Sequence, residues 1–217
     1  MKDAEKRVAV RRWFWLGLPV AAGAVLAWCY RDWLAARFFL RHLESGKRLK
    51  RLRVPEVIRL LGIEPGSTVA DIGAGSGLFT ERFVDCVGPT GRVFAADANP
   101  TMIDHLRKRF PPDRAPTVTV VQTARSGATL PAKVDLAFVC LTLHHIPDPE
   151  EYVQTLAEDL KPGGRIAVIE FERHSPMHHK MIATQELDRW MEEAGLQVVS
   201  REDNLLEEAY IRIYGRA

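Results

Sequence analysis

Residues 68–77 read Thr-Val-Ala-Asp-Ile-Gly-Ala-Gly-Ser-Gly. A short β-branched, apolar run ends at three glycines, Gly73, Gly75 and Gly77, with Ala74 and Ser76 between them. The next residues place Leu78, Phe79, Phe83, Cys86 and Val87 on one face of a helix. A strand that stops at a glycine loop and passes into an amphipathic helix is the opening unit of a parallel α/β sheet. Glycines at such a loop let the backbone turn sharply and approach a ligand closely. The spacing is G-x-G-x-G, not the G-x-G-x-x-G of dinucleotide folds. Asp71 ends the strand, where it would repel a pyrophosphate and welcome a cationic amino-acid group. A second acid, Asp97, closes the next apolar run about 20 residues beyond the last glycine, where a ribose diol would be hydrogen-bonded. The pattern predicts an adenosine ligand that carries a positive amine and no phosphate.

Outward from this loop, short apolar runs alternate with helical patterns. Strands are expected at 68–72, 92–96, 117–121, 134–140, 165–171, 196–200 and 209–214. Helices fit between them. Val54 to Leu61 forms one, and Asn99-Pro100 and Asp148-Pro149 each supply an N-cap and a proline in the first turn. Thr184 to Ala194 forms another, closed by Gly195.

Four stretches carry a family resemblance: VADIGAGSG (69–77), VFAADANPTMI (93–103), VDLAFVCLTLHHIPDP (134–149) and LKPGGRIAVIEF (160–171). In this order and spacing they resemble the successive motifs of class I S-adenosylmethionine-dependent methyltransferases, in the small-molecule and lipid branch that includes quinone and phospholipid methyltransferases. The resemblance covers roughly residues 54–217. It implies a Rossmann-like, doubly wound α/β fold with a seven-stranded sheet whose last strand is antiparallel, and S-adenosyl-L-methionine as cofactor. Asp71 and the loop Gly73, Ala74, Gly75, Gly77 would hold the methionine amine and carboxylate. Asp97 would bind the ribose hydroxyls, with Ala98 and Met102 beside the adenine. Thr123 and Ala124 stand where the family usually carries an acid near the adenine amine. Cys140, Leu141 and Thr142 would line the methyl-donor end.

Methyl transfer from a sulfonium is an in-line displacement from an activated donor, so positioning and desolvation supply much of the rate. A base is needed only when the acceptor is protonated. His144 and His145 follow the fourth strand and are the candidates for that role. His174, His178 and His179, with Glu170 and Glu172, do not match a zinc spacing; the three histidines are read as lining the acceptor entrance or as simply exposed, with Met177 and Met181 as an apolar lid. Arsenite chemistry would need several thiolates; the chain has Cys29, Cys86 and Cys140.

The remaining sequence is different in character. Residues 1–53 hold 13 Lys/Arg against 4 Asp/Glu, and residues 54–217 hold 17 against 24. An acidic body argues against nucleic acid as its main partner. Residues 13–30, WFWLGLPVAAGAVLAWCY, carry no charge. As a helix they would span about 27 Å, near the roughly 30 Å hydrocarbon core. Aromatics mark both ends, as in a membrane-spanning helix. No A-x-A-like site follows that would mark a cleaved signal peptide. The expected organisation is an N-terminal membrane anchor (1–33), a basic amphipathic linker (34–53) and a methyltransferase domain (54–217). Eight Lys/Arg in 31–53, against five before the span, favour a cytoplasmic body. The function expected is methyl transfer to a lipidic or small hydrophobic acceptor. The alternatives are a catalytically weak S-adenosylmethionine-binding scaffold and a protein methyltransferase; a nicotinamide dehydrogenase is disfavoured by the loop spacing and Asp71.

Overall fold

The structure, a computed structural model, describes residues 40, 43, 46–124, 126–171 and 181–216. Apart from Leu40 these belong to the second of two compact units, Leu43–Ala217. The expected anchor, residues 13–30, lies outside the described residues, as do His174, His178, His179, Glu172 and Met177. Among the described residues no helix is long and apolar enough to cross a membrane.

Helices α1 (Gly46–Arg51) and α2 (Val54–Leu61) precede strand β1 (Thr68–Ile72). Then come α3 (Leu78–Val87), β2 (Arg92–Asp97), α4 (Pro100–Arg109), β3 (Val118–Gln122) and β4 (Val134–Cys140). A 3-10 turn at Leu143–His145 leads to α5 (Pro149–Glu158), β5 (Leu160–Phe171), α6 (Thr184–Glu193), β6 (Gln197–Glu202) and β7 (Ala209–Gly215). The strands form one seven-stranded sheet in the order β3-β2-β1-β4-β5-β7-β6. β1 to β5 pair in parallel, and β7 runs antiparallel to both β5 and β6. The order reverses between β1 and β4. Ligands of open α/β sheets bind at such a switch point, outside the carboxyl ends of the strands.

Both faces of the sheet are covered, which is why its central strands are apolar throughout rather than alternating. All five residues of β1 are buried. Ala70 and Ile72 join a cluster with Tyr152, Val153 and Leu156 of α5 and Leu187, Trp190 and Met191 of α6. Val69 faces the other way, into a cluster with Val57, Phe83 and Leu106. There Phe138 of β4 packs on Phe79 and Phe83 of α3, with ring centroids 4.6 and 5.2 Å apart. The expected caps form: Asn99 accepts from the Thr101 N–H and Asp148 from the Glu151 N–H. Gly195 takes φ +75° as α6 ends.

Two differences from the sequence reading have physical reasons. β5 begins at Leu160, not Arg165, because Leu160 pairs with Val134 and an irregularity between Val134 and Leu136 absorbs the extra residues of Lys161-Pro-Gly-Gly. In the stretch read as linker, residues 46–51 form a helix; Leu52 is buried in the body and Leu49 packs against the same cluster. Arg51 pairs with Glu208, and Arg53 reaches the Leu205 carbonyl at 3.5 Å.

Candidate active site

The carboxyl ends of β1, β2 and β4 meet around the glycine loop. Gly73, Gly75 and Gly77 have φ of +69°, +55° and +81°, the left-handed region that costs an L side chain free energy. Gly73 and Ala74 donate to the Ala96 carbonyl, at 2.8 and 3.0 Å, which ties the loop to β2. A Cβ on Gly73 would lie 2.3 Å from Thr142 Oγ1, so the turn after β4 sits directly against the loop. Arg109, at the end of α4, donates to the Ser76 carbonyl at 2.7 Å and pairs with Glu81 at 3.2 Å.

Asp97 joins the loop to the end of β2. Its two oxygens accept from the Gly75 N–H at 3.0 Å and the Asn99 N–H at 2.8 Å. Asp71 is buried beneath the loop and accepts from the Thr80 hydroxyl at 2.6 Å. Burial pushes its carboxyl up to about 7; the bonds from Thr80 oppose the rise and the Asp97 charge adds to it. Ala98 is half-buried and Met102 buried at the start of α4. Beyond β3, the Thr123 N–H donates to the Asp97 carbonyl at 3.0 Å, and exposed Ala124 forms an antiparallel bridge with Gly127. Tyr152, near the Thr123 side chain, is a buried phenol whose pKa burial drives upward.

The turn after β4 has a different construction. Leu141 takes φ +53°, a strained conformation for a branched residue. It is held by its own N–H on the Ile169 carbonyl, at 2.8 Å, and by the residues that follow. Glu170 of β5 accepts from the Thr142 and Leu143 N–H groups at 2.9 and 2.8 Å, and its Oε2 lies 2.8 Å from His144 Nδ1. His144 is buried and His145 exposed, their ring centroids 4.0 Å apart.

A family profile described as "Methyltransferase domain" matches residues 70–166. The ubiquinone/menaquinone biosynthesis C-methyltransferase UbiE of Ectopseudomonas mendocina is 33% identical over 142 residues, 64% of this chain and 56% of that protein. UbiE of Saccharophagus degradans is 31% identical over 144 residues, 64% of this chain and 57% of that protein. The chain thus spans little more than half the length of these curated relatives. A SAM-dependent methyltransferase structure from Aquifex aeolicus superposes with a TM-score of 0.74 at 23% identity, over 82% of this chain and 97% of the other. The chain thus carries a methyltransferase-domain match over residues 70–166 and shares its fold with a SAM-dependent methyltransferase.

S-adenosylmethionine is the cofactor that the sequence motifs imply, and the Aquifex aeolicus neighbour is SAM-dependent. The residues around the switch point fit it: a glycine loop that turns in the left-handed region, a buried carboxylate at the end of β1 and a half-buried one at the end of β2. The structure brings Asp71, Gly73, Ala74, Gly75, Gly77, Asp97, Ala98 and Met102 to one end of the sheet, with Thr123 tied to Asp97 and Thr142 against Gly73. Cys140 is buried at the end of β4, packed on the α3 side with Phe138. Two residues of the site were not assigned these roles from sequence. Arg109 reads as an ordinary basic residue in the last turn of a helix. Glu170 was weighed only as a metal ligand; its signal is a lone charge inside the apolar run IAVIEF, which must find donors when buried.

Proposed function

We propose that this chain transfers a methyl group from S-adenosylmethionine to a small hydrophobic acceptor delivered from a membrane, and that a quinol ring is the acceptor class. Bound S-adenosylmethionine supplies an activated methyl group on a sulfonium. Asp97, at the end of β2, receives the ribose hydroxyls. Asp71 and the glycine loop hold the amino-acid end, with Ala98 and Met102 flanking the adenine and Thr123 and Ala124 at its amine edge. Cys140, Leu141 and Thr142 border the methyl, and His144 and His145 stand on the acceptor side. The quinol reading is supported by the printed names of the UbiE relatives.

The membrane part rests on sequence alone. Residues 13–30 anchor the chain, the basic residues after them keep the body on the cytoplasmic side, and anchoring raises the effective concentration of a lipidic acceptor.

The observation that carries the donor site is Asp97, one carboxylate that organises both the glycine loop and the start of α4. Calorimetric titration with S-adenosylmethionine tests it. The chain binds, and Asp97→Ala weakens binding by about 100-fold, in line with the loss of charge-assisted hydrogen bonds worth roughly 1.5–3 kcal/mol each. A well-folded chain with no binding would overturn the reading.

A further inference from the structure

Glu170 lies 1% exposed at the end of β5, with all three of its described hydrogen bonds directed at the turn after β4. Oε1 takes two backbone N–H groups and Oε2 takes the imidazole. An ionised carboxylate only accepts; a neutral imidazole facing one at Nδ1 carries its ring proton there and its lone pair at Nε2. A glutamine in the same place would serve the turn equally well: its carbonyl would accept the two backbone bonds. Its NH2 would then face Nδ1 and reverse the tautomer. The structural role alone therefore does not require an acid here; the imidazole does. The pair is enclosed by the ring of Phe171, 5.6 Å from that of His144, by His145, and by Tyr210, which sits opposite Glu170 on β7 with its hydroxyl on the Ile182 carbonyl at 3.0 Å. The same turn places Thr142 against Gly73 of the donor loop.

Resting on the methyl-transfer reading above, we propose that Glu170 is a positioning residue that holds His144 in the tautomer able to take a proton at Nε2, and that the acceptor is a hydroxyl-bearing aromatic that must lose that proton. Nε2 takes the hydroxyl proton. The electron pair of the resulting phenolate passes through the ring to form a C–C bond with the methyl carbon. The S–CH3 bond breaks, leaving its pair on sulfur as a neutral thioether. The displaced ring proton goes to water as the ring regains aromaticity, and His144 then gives up its own. A neutral amine or thioether would attack without prior loss of a proton and has no use for this pair.

The test uses the 217-residue chain labelled with 15N at histidine, with His144→Gln to assign the His144 signals. The wild-type ring shows a protonated Nδ1 and an unprotonated Nε2; Glu170→Gln reverses them. With S-adenosylmethionine and 2-geranyl-1,4-naphthohydroquinone as the acceptor probe, Glu170→Gln lowers kcat by at least about 100-fold, the size of a lost general base, and leaves the KM for S-adenosylmethionine within about threefold. Calorimetry with S-adenosylhomocysteine separates the two readings. Loss of binding in the wild type overturns the functional reading and this one with it. Retained binding with the proton on Nε2 in the wild type, or with turnover by Glu170→Gln within about threefold, overturns the pair alone. If Glu170→Gln does not fold, the wild-type tautomer still decides.

Discussion

The two halves of the site are built by opposite means. On the donor side, β1 and β2 hold the glycine loop through backbone bonds and one carboxylate, with Gly73, Ala74, Gly75 and Asn99 as donors. On the acceptor side, a strained turn at Leu141 is held from the neighbouring strand by a glutamate 26 to 28 residues away. The first arrangement shapes backbone. The second fixes the orientation of one side chain, His144, against a buried carboxylate.

The largest effect expected from breaking this division comes where the halves touch. Gly73→Ala forces a Cβ to within 2.3 Å of Thr142 Oγ1 at a φ of +69°, and should destabilise the chain by roughly 2–3 kcal/mol. Adding Thr142→Gly should restore the steric part and leave the backbone part of about 1 kcal/mol. Urea unfolding of the single and double variants measures both. Full additivity would show that the halves are not coupled through this contact.

Next in size is a pH effect confined to the donor side. The Asp71 carboxyl is pushed up to about 7 by burial, with Thr80 and Asp97 facing it. Folded Asp71 stays protonated well above the ordinary carboxylate pKa, so this group's contribution to stability falls as pH rises from about 4 to 7. A cationic amine favours the ionised form, so S-adenosylmethionine binding should weaken as pH drops below about 7, by at most tenfold per unit, or about 1.4 kcal/mol. Calorimetry at pH 5.5, 6.5 and 7.5 checks this, and Asp71→Asn should flatten the profile. A wild-type profile already flat would place the amine away from Asp71.

The smallest effect sharpens the boundary. Tyr152 of α5 packs in the core, with its hydroxyl toward Thr123 beyond β3. Tyr152→Phe keeps the packing and removes only the hydroxyl, so thermal unfolding should show a loss of no more than about 1 kcal/mol. A larger loss would mean that the hydroxyl organises the Thr123–Gly127 turn.

Much of the donor side is legible from residues 68–103 alone. The loop, the acid at each strand end and the Asn99-Pro100 cap are local, and their partners lie on consecutive elements. The acceptor side is not legible in this way. His144 was identified as a candidate by its place after β4, but its burial and partner depend on β5 lying beside β4, a pairing that brings Cys140 opposite Ile169. Arg109 closes on Ser76 only because α4 packs against the loop. Leu49 and Leu52 were masked by the basic residues around them, although their spacing of three already places them near one helical face.

The sequence by itself determined the layered α/β arrangement, because an apolar run between glycine and an amphipathic helix can bury both of its faces only in a covered parallel sheet. It also determined the donor loop, because that loop's chemistry is written in adjacent residues. The tertiary structure alone decided which group meets Nδ1 of His144 and how the turn at Leu141 is sustained. Both depend on a buried carboxylate whose partners come together only when the strands pair.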